Sequence, residues 1–136
     1  MVGITRLPWG LQIGRAVMGD YREWQPRNAQ EEKYWTSRYR IEVFYHMMGL
    51  VDMVDHLDLS QIKMPVLVIH SDRDQVISVE KVKERYQEIG SKRKKRVTVN
   101  NTQDEWGHIL AGDILSPATT ETVVNHMMDF YGFEIK

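Results

Sequence analysis

Two residues with complementary chemistry, an aspartate and a histidine, follow two apolar segments of this sequence. Asp74 lies in the segment Ser71-Asp-Arg-Asp-Gln75, and His108 closes the segment Asn101-Thr-Gln-Asp-Glu-Trp-Gly-His108. An aspartate that accepts a hydrogen bond from one imidazole nitrogen fixes the tautomer of the ring and stabilises its protonated form. The other ring nitrogen is then free to act as a general base. Asp74 and His108 are therefore the candidate catalytic residues, provided that the fold brings them together.

A strand–helix–strand unit is predicted to position these two residues. Met64-Pro-Val-Leu-Val-Ile-His70 is a short, continuous apolar run that is typical of a strand buried on both faces of a parallel sheet. Ser78 is a predicted N-cap for a helix over 79–89, which Gly90 should end, and Val97-Thr-Val-Asn100 should form the second strand. Loops that leave the carboxyl ends of parallel strands emerge at one edge of the sheet. We therefore expect the Asp74 loop and the His108 loop to project side by side.

Helical patterns are predicted on either side of this unit. From Asn28, a predicted N-cap, to about Leu57, large residues recur at helical spacing, and Gly49 is a possible break between two helices. Residues 1–27 read as irregular, apart from one short helix near 11–19. Ser116 is the predicted N-cap of a last helix, which should begin at Pro117 and end at Gly132. Its predicted buried stripe consists of Val123, Val124, Met127, Met128 and Tyr131.

The segment Pro65–Ser78 resembles the strand-7 region of the α/β-hydrolase superfamily. That region is an apolar strand followed by His-Gly-x-x-Asp-x-x-x-Pro. The aspartate of this pattern is the triad acid, and it falls on Asp74, the second aspartate of the present segment. Gly107-His108 resembles the pair that carries the triad histidine. The resemblance extends well over about residues 60–133. Residues 1–59 resemble the superfamily only in their position along the chain. Ser71 stands in place of the usual glycine, and Gln75 and Ser78 stand where prolines are frequent.

The resemblance implies a fold class and a division of the chain. The expected class is α/β, a partial α/β-hydrolase fold, with a βαβ unit of parallel strands, an N-terminal helical segment and a C-terminal helix. Residues 1–59 would form a helical lid-like segment, and residues 60–136 would form the C-terminal part of the hydrolase core. The large residues of 9–53 would then line an acyl pocket, or they would form a plain packing face.

The nucleophile of that superfamily lies in G-x-S-x-G and precedes the acid and the histidine along the chain. None of the six serines of this sequence is flanked by glycines at both of the required positions: 37, 60, 71, 78, 91 and 116. The resemblance therefore implies the C-terminal portion of an esterase-, lipase- or peptidase-like serine hydrolase, inactive alone. A small acyl compound would be the substrate of the complete enzyme, with no cofactor.

Two strands make a poor sheet, because their edges leave backbone groups unpaired. We therefore expect this chain to complete its sheet with another chain, either a complementing N-terminal half or a second copy that forms a homo-oligomer. An alternative reading is a non-catalytic interaction or assembly module derived from a hydrolase half.

Several candidate residues also have plainer interpretations. Asp74 could cap the loop before the helix at Ser78, and His108 could be a surface loop histidine. Asp72 and Asp74 form D-x-D, but nothing else supplies the six or so oxygen ligands that a hard cation takes, so we expect no metal site. His70 is expected to be a hydrogen-bonded histidine at the end of a buried strand, and the basic stretch at 92–96 is expected to be a solvated loop.

Composition excludes several classes of function. The chain has 136 residues, of which 42% are hydrophobic, and its net charge is only −1, so general nucleic-acid binding is not expected. The absence of cysteine excludes disulfides, cysteine zinc sites and thiol catalysis. No apolar run is long enough to span a membrane, and no secretory signal is recognisable, so we expect a cytoplasmic protein.

Overall fold

The structure, a computed structural model, describes Trp9, Gln12, residues 15–17 and residues 19–132. The chain divides into two units, Met1–Leu57 and Asp58–Lys136, and each unit is described by itself. Among the described residues, no helix combines the length and the apolar character that crossing a membrane requires.

Between residues 19 and 57, the first unit contains a small antiparallel sheet and two helices. Strand β1 (Tyr21–Glu23) pairs with strand β2 (Arg38–Arg40). Helix α1 (Ala29–Tyr34) lies between them in sequence, and helix α2 (Glu42–Asp55) follows β2. The Asn28 side chain accepts hydrogen bonds from the first backbone N–H groups of α1, so the predicted N-cap is confirmed.

The prediction of a helical pattern running from Asn28 to Leu57 was wrong in its middle. Helix α1 ends at Tyr34, and Trp35 already has extended backbone angles (φ −110°, ψ 147°). Aromatic and β-branched residues here suit a strand, and pairing with β1 decides the conformation. Gly49 lies inside the uninterrupted helix α2, so the possible break there is also wrong. Strand β1 falls in the region expected to be irregular. Of the short helix expected near 11–19, residues 12 and 15–17 are helical, and residues 11, 13, 14 and 18 lie outside the described residues.

The second unit contains the predicted strand–helix–strand arrangement. Strand β3 (Val66–His70) pairs in parallel with strand β4 (Lys94–Thr98), and helix α3 (Val79–Glu88) connects them. The Ser78 side chain accepts a hydrogen bond from the third backbone N–H of α3, which confirms this cap. A 3-10 turn, Leu59–Gln61, precedes β3. The parallel βαβ unit expected from the sequence is therefore present.

Gly90 is required by close packing and not by a left-handed helix end. A Cβ atom at this position would lie 1.9 Å from the carbonyl oxygen of Ser60, so only glycine fits against the 3-10 turn. Helix α3 itself ends two residues earlier, at Glu88.

The basic stretch at 92–96 is not simply a solvated loop, because β4 already begins at Lys94. The Lys94 Nζ atom donates to the carbonyl oxygens of Tyr86, Gln87 and Ile89, at 3.0, 3.0 and 2.8 Å. These oxygens belong to the last turn of α3, where a positive charge is favourable. Lys94 thus ties the end of α3 to the start of β4.

The last helix, α4 (Pro117–Tyr131), has the predicted bounds but not the predicted buried face. Ser116 occupies the predicted N-cap position, but its side chain makes no capping hydrogen bond, so a side-chain cap by Ser116 is wrong. Gly132 ends the helix in the left-handed region at φ 78°. Thr119 and Phe130 are its buried residues, whereas three members of the expected stripe are exposed, Val124 by 42%, Met127 by 45% and Tyr131 by 58%. The helix therefore presents these three apolar side chains outward within its own unit.

Candidate active site

The two loops of interest leave the carboxyl ends of neighbouring strands. Strand β3 ends at His70 and is followed by the Asp74 loop, and β4 ends at Thr98 and is followed by the His108 loop. His70 and Thr98 are paired in the register of the sheet. The parallel pairing therefore starts both loops at the same edge, as the sequence predicts.

The structure places Asp74 and His108 in direct contact. The Nδ1 atom of His108 lies 2.8 Å from the Oδ2 atom of Asp74. The other carboxylate oxygen, Oδ1, accepts hydrogen bonds from the backbone N–H groups of Val76 (2.8 Å) and Ile77 (3.0 Å). Asp74 thus holds its own loop with one oxygen and meets the imidazole with the other. The loop-capping interpretation of Asp74 describes the contacts of Oδ1, and the contact with His108 involves only Oδ2.

The environment of Asp74 keeps its carboxyl group ionised. Burial is the largest influence and opposes the charge, since only 4% of the side chain is exposed. The hydrogen bonds from His108 and from the N–H groups of Ile77 and Val76 together outweigh burial, and the pKa of Asp74 lies below its ordinary value of 3.8. At neutral pH the group is therefore a carboxylate, which can accept a hydrogen bond from Nδ1–H of His108.

His108 presents its second ring nitrogen away from Asp74. Its side chain is 37% exposed, and within the described part of the chain Nε2 makes no hydrogen bond. Because Asp74 is an acceptor, the neutral ring carries its proton on Nδ1, which leaves the Nε2 lone pair available. This is the arrangement required of a general base oriented by a carboxylate.

A glycine allows the two loops to approach each other closely. Gly107 has φ 66°, and a Cβ atom there would lie 2.8 Å from the carbonyl oxygen of Arg73. Next to this contact, the backbone N–H of Gln75 donates to the carbonyl oxygen of Trp106 at 2.9 Å. The residues that flank Asp74 and His108 are therefore in contact through their backbones, and this fixes the spacing of the two side chains.

Ser71 stands where the superfamily usually has glycine, and its side chain makes hydrogen bonds at the start of the Asp74 loop. It is fully buried, and its Oγ atom lies 3.2 Å from Oδ1 of Asn100 and accepts from the N–H of Arg73 at 3.0 Å. The same Asn100 oxygen accepts from the N–H of Asp72 at 2.8 Å. Asn100 thus connects the start of the Asp74 loop to the end of β4, a role that its sequence position did not reveal.

The remaining candidates from the sequence lie elsewhere or serve other roles. Asp72 forms an ion pair with Lys83 at 3.0 Å, and no group of three or more metal-ligating side chains occurs among the described residues. His70 is buried, and its Nε2 atom lies 2.8 Å from Nη1 of Arg96, which confirms a hydrogen-bonded histidine at the end of the strand.

Comparison with known families identifies the class of protein to which the chain belongs. The sequence profile of a hydrolase family, described as serine aminopeptidase S33, matches residues 12–108, which is more than half of the chain. The protein has a hydrolase-type domain with a partial α/β-hydrolase fold. The chain belongs to this serine aminopeptidase S33 family of the α/β-hydrolase superfamily. No curated protein and no solved structure matches the chain.

Proposed function

We propose that this chain supplies the acid and the base of a serine hydrolase and that the nucleophilic serine comes from another polypeptide segment. The 2.8 Å contact between Nδ1 of His108 and the ionised carboxylate of Asp74 is the observation that carries this proposal. Membership of the S33 family supports it independently. Esters and amides of small acyl compounds are the substrate class.

Each of the two residues has one role in the proposed reaction. Nε2 of His108 would take the proton of the serine hydroxyl as its oxygen attacks the acyl carbonyl, and the same nitrogen would then protonate the leaving group. Asp74 would accept the Nδ1–H bond throughout, which holds the ring and stabilises the imidazolium without taking the proton. A water molecule activated by the same nitrogen would release the acyl group from the serine.

The surfaces of the two units support the part of the proposal that concerns a partner. In the described residues, the parallel sheet consists of β3 and β4 alone. Helix α2 exposes apolar side chains at alternating spacings of four and three residues, which is the spacing of a helix-packing seam: Val43, Met47, Leu50 and Val54. Large exposed apolar patches of this kind mark interaction surfaces. The partner would be a complementing N-terminal half or a second copy of the chain, and residues 1–59 would act as a lid-like segment.

Reconstitution tests the catalytic part directly. The chain would be mixed or co-expressed with the nucleophile-bearing N-terminal half of an S33 hydrolase, and hydrolysis of a chromogenic ester would be followed. His108→Ala and Asp74→Asn should abolish turnover. The matched control Asp113→Asn, in an exposed turn, should leave it unchanged. Turnover of the His108→Ala complex at the rate of the unmodified complex would refute the assignment.

The serines of the chain can be tested separately. A fluorophosphonate probe should fail to label the chain alone, because none of its serines lies in G-x-S-x-G. Covalent labelling of any of the six serines would show that the nucleophile is here and would overturn the proposed division of roles.

A second candidate function is a non-catalytic assembly module derived from a hydrolase half. The exposed apolar seam of α2, together with the lack of a recognisable nucleophile motif, favours this alternative. In that case the Asp74–His108 pair would serve only to hold two loops together. Light scattering and the reconstitution assay together distinguish the two candidate functions. An assembly module would form its complex with or without His108, and that complex would have no hydrolytic activity.

A further inference from the structure

A second buried carboxylate lies in the His108 loop and holds the backbone of the histidine itself. Asp104 is only 5% exposed. Its Oδ2 atom accepts hydrogen bonds from the backbone N–H groups of His108 (2.8 Å) and Ile109 (2.9 Å). Asp104 therefore acts on the main chain at the residue where the imidazole is attached.

The backbone of Asp104 is anchored in turn by the hydroxyl groups of Thr102, which is half-buried, and Ser116, which is buried. Its N–H lies 3.2 Å from Oγ1 of Thr102 and 3.2 Å from Oγ of Ser116. These two hydroxyls lie 2.5 Å apart, and both are within hydrogen-bond distance of the carbonyl oxygen of Ile109, at 2.6 and 2.5 Å. The two ends of the histidine loop are thus joined at one buried point.

The hydroxyl group of Ser116 binds the histidine loop and does not cap helix α4. Ser116 precedes the first residue of α4, yet its side chain makes no capping hydrogen bond. The carboxamide oxygen of Gln103 accepts from the N–H of Ala118 at 2.8 Å and takes over that role. Because Gln103 caps the helix, the hydroxyl of Ser116 is available to the loop. Helix α4 is therefore the rigid support against which the histidine loop is held.

We propose that Asp104 is a positioning residue for His108. It fixes the backbone of His108, so that Nδ1 meets Asp74 while Nε2 stays free for proton transfer. This inference rests on the proposed function, since it assigns Asp104 a part in the same acid–base pair. Asp104 touches neither substrate nor nucleophile, and its effect passes through the main chain. A displacement of about 1 Å at a reacting group can cost about 100-fold in rate.

Two substitutions test the hydrogen-bonding role of Asp104. Both backbone N–H groups bind the same oxygen, so the carbonyl oxygen of Asp104→Asn can replace Oδ2 and keep both bonds. Asp104→Ala removes them. In the reconstituted enzyme, Asp104→Ala should lower kcat by about 100-fold with little change in KM, and Asp104→Asn should restore most of kcat. Asp113→Ala, in an exposed turn, is the matched control.

The positioning role of Asp104 can also be measured on the chain alone, independently of catalytic activity. Proton NMR should show the Nδ1–H of His108 in the unmodified chain and in Asp104→Asn, and it should lose that signal in Asp104→Ala. If Asp104→Ala does not fold, hydrogen exchange in the unmodified chain replaces it, and the amides of His108 and Ile109 should exchange more slowly than that of Asp113. An unchanged Nδ1–H signal in Asp104→Ala, or amides that exchange as fast as that of Asp113, would overturn the positioning role. Failure of the catalytic proposal would instead appear as full activity of the His108→Ala complex.

Discussion

Substitution of Gly107 by alanine should loosen the contact between the two loops and destabilise the second unit. The new Cβ would lie 2.8 Å from the carbonyl oxygen of Arg73, and the backbone at Gly107 is left-handed, with φ 66°. The left-handed conformation alone costs a non-glycine residue about 1–2 kcal/mol. Overpacking against backbone atoms adds about 1–3 kcal/mol, so we expect a loss of roughly 2–5 kcal/mol in the free energy of unfolding.

A second glycine separates these two contributions. Gly132 also has a left-handed backbone, with φ 78°, but a Cβ there would meet nothing within 4 Å. Gly132→Ala should therefore show only the conformational cost of about 1–2 kcal/mol. The difference between the two variants measures the close approach of the loops.

Urea unfolding followed by circular dichroism gives both free energies. Because Arg73 directly precedes Asp74, relief of the clash in Gly107→Ala should also weaken the Nδ1–H signal of His108, whereas Gly132→Ala should leave that signal intact. Equal destabilisation by the two alanines, with the His108 signal unchanged in both, would refute the close contact between the loops.

Two further substitutions test the surroundings of the site. Asp74 has a lowered pKa in the folded chain, so its charged form contributes stability above the ordinary pKa of 3.8, and this contribution is lost as the pH falls through the folded-state pKa. The stability gap between the unmodified chain and Asp74→Asn should therefore be widest above about pH 4 and should close in stronger acid; a gap that stays constant in acid unfolding curves would contradict the shifted pKa. Asn100→Ala should cost about 1–3 kcal/mol in urea unfolding, because the Ser71 hydroxyl and the Asp72 N–H lose their shared acceptor. Asn101→Ala, at the exposed neighbouring position, is its control, and equal stability of the two variants would contradict the role assigned to Asn100.

The strand–helix–strand unit could be predicted from the sequence because local signals agree with the tertiary structure there. The apolar run that became β3 is continuous, and Ser78 has both the position and the side chain of an N-cap. The contact between Asp74 and His108 then follows from the geometry of parallel strands, since both loops begin at one edge of the sheet.

The conformations that sequence reasoning missed depend on contacts with other elements of the fold. Strand β2 exists because β1 pairs with it, and a helical spacing of large residues cannot reveal that pairing. Lys94 belongs to a strand although it lies in a basic run, because its Nζ atom finds three carbonyl oxygens at the end of α3. The stripe of α4 was placed wrongly at Val124, Met127 and Tyr131, since periodicity gives the apolar face of a helix but not what covers it.

The supporting residues of the site carry no sequence signal of the usual kind. Asp104 lies four residues before His108 in a loop, where neither periodicity nor a motif marks a buried carboxylate. The role proposed for Asp104 can be inferred only from the two hydrogen bonds that its Oδ2 atom accepts from backbone N–H groups. Asn100 is similar, because its side chain binds a loop that begins 29 residues earlier.

Proton NMR of the imidazole hydrogen bond is the most direct test of the central claim that Asp74 orients His108. The unmodified chain should give a strongly deshielded Nδ1–H signal at neutral pH that disappears in both His108→Ala and Asp74→Asn, and persists in Asp113→Asn. A His108 ring without such a signal, or one whose signal is the same in Asp74→Asn, would show that the two side chains are not paired and would contradict the proposed site.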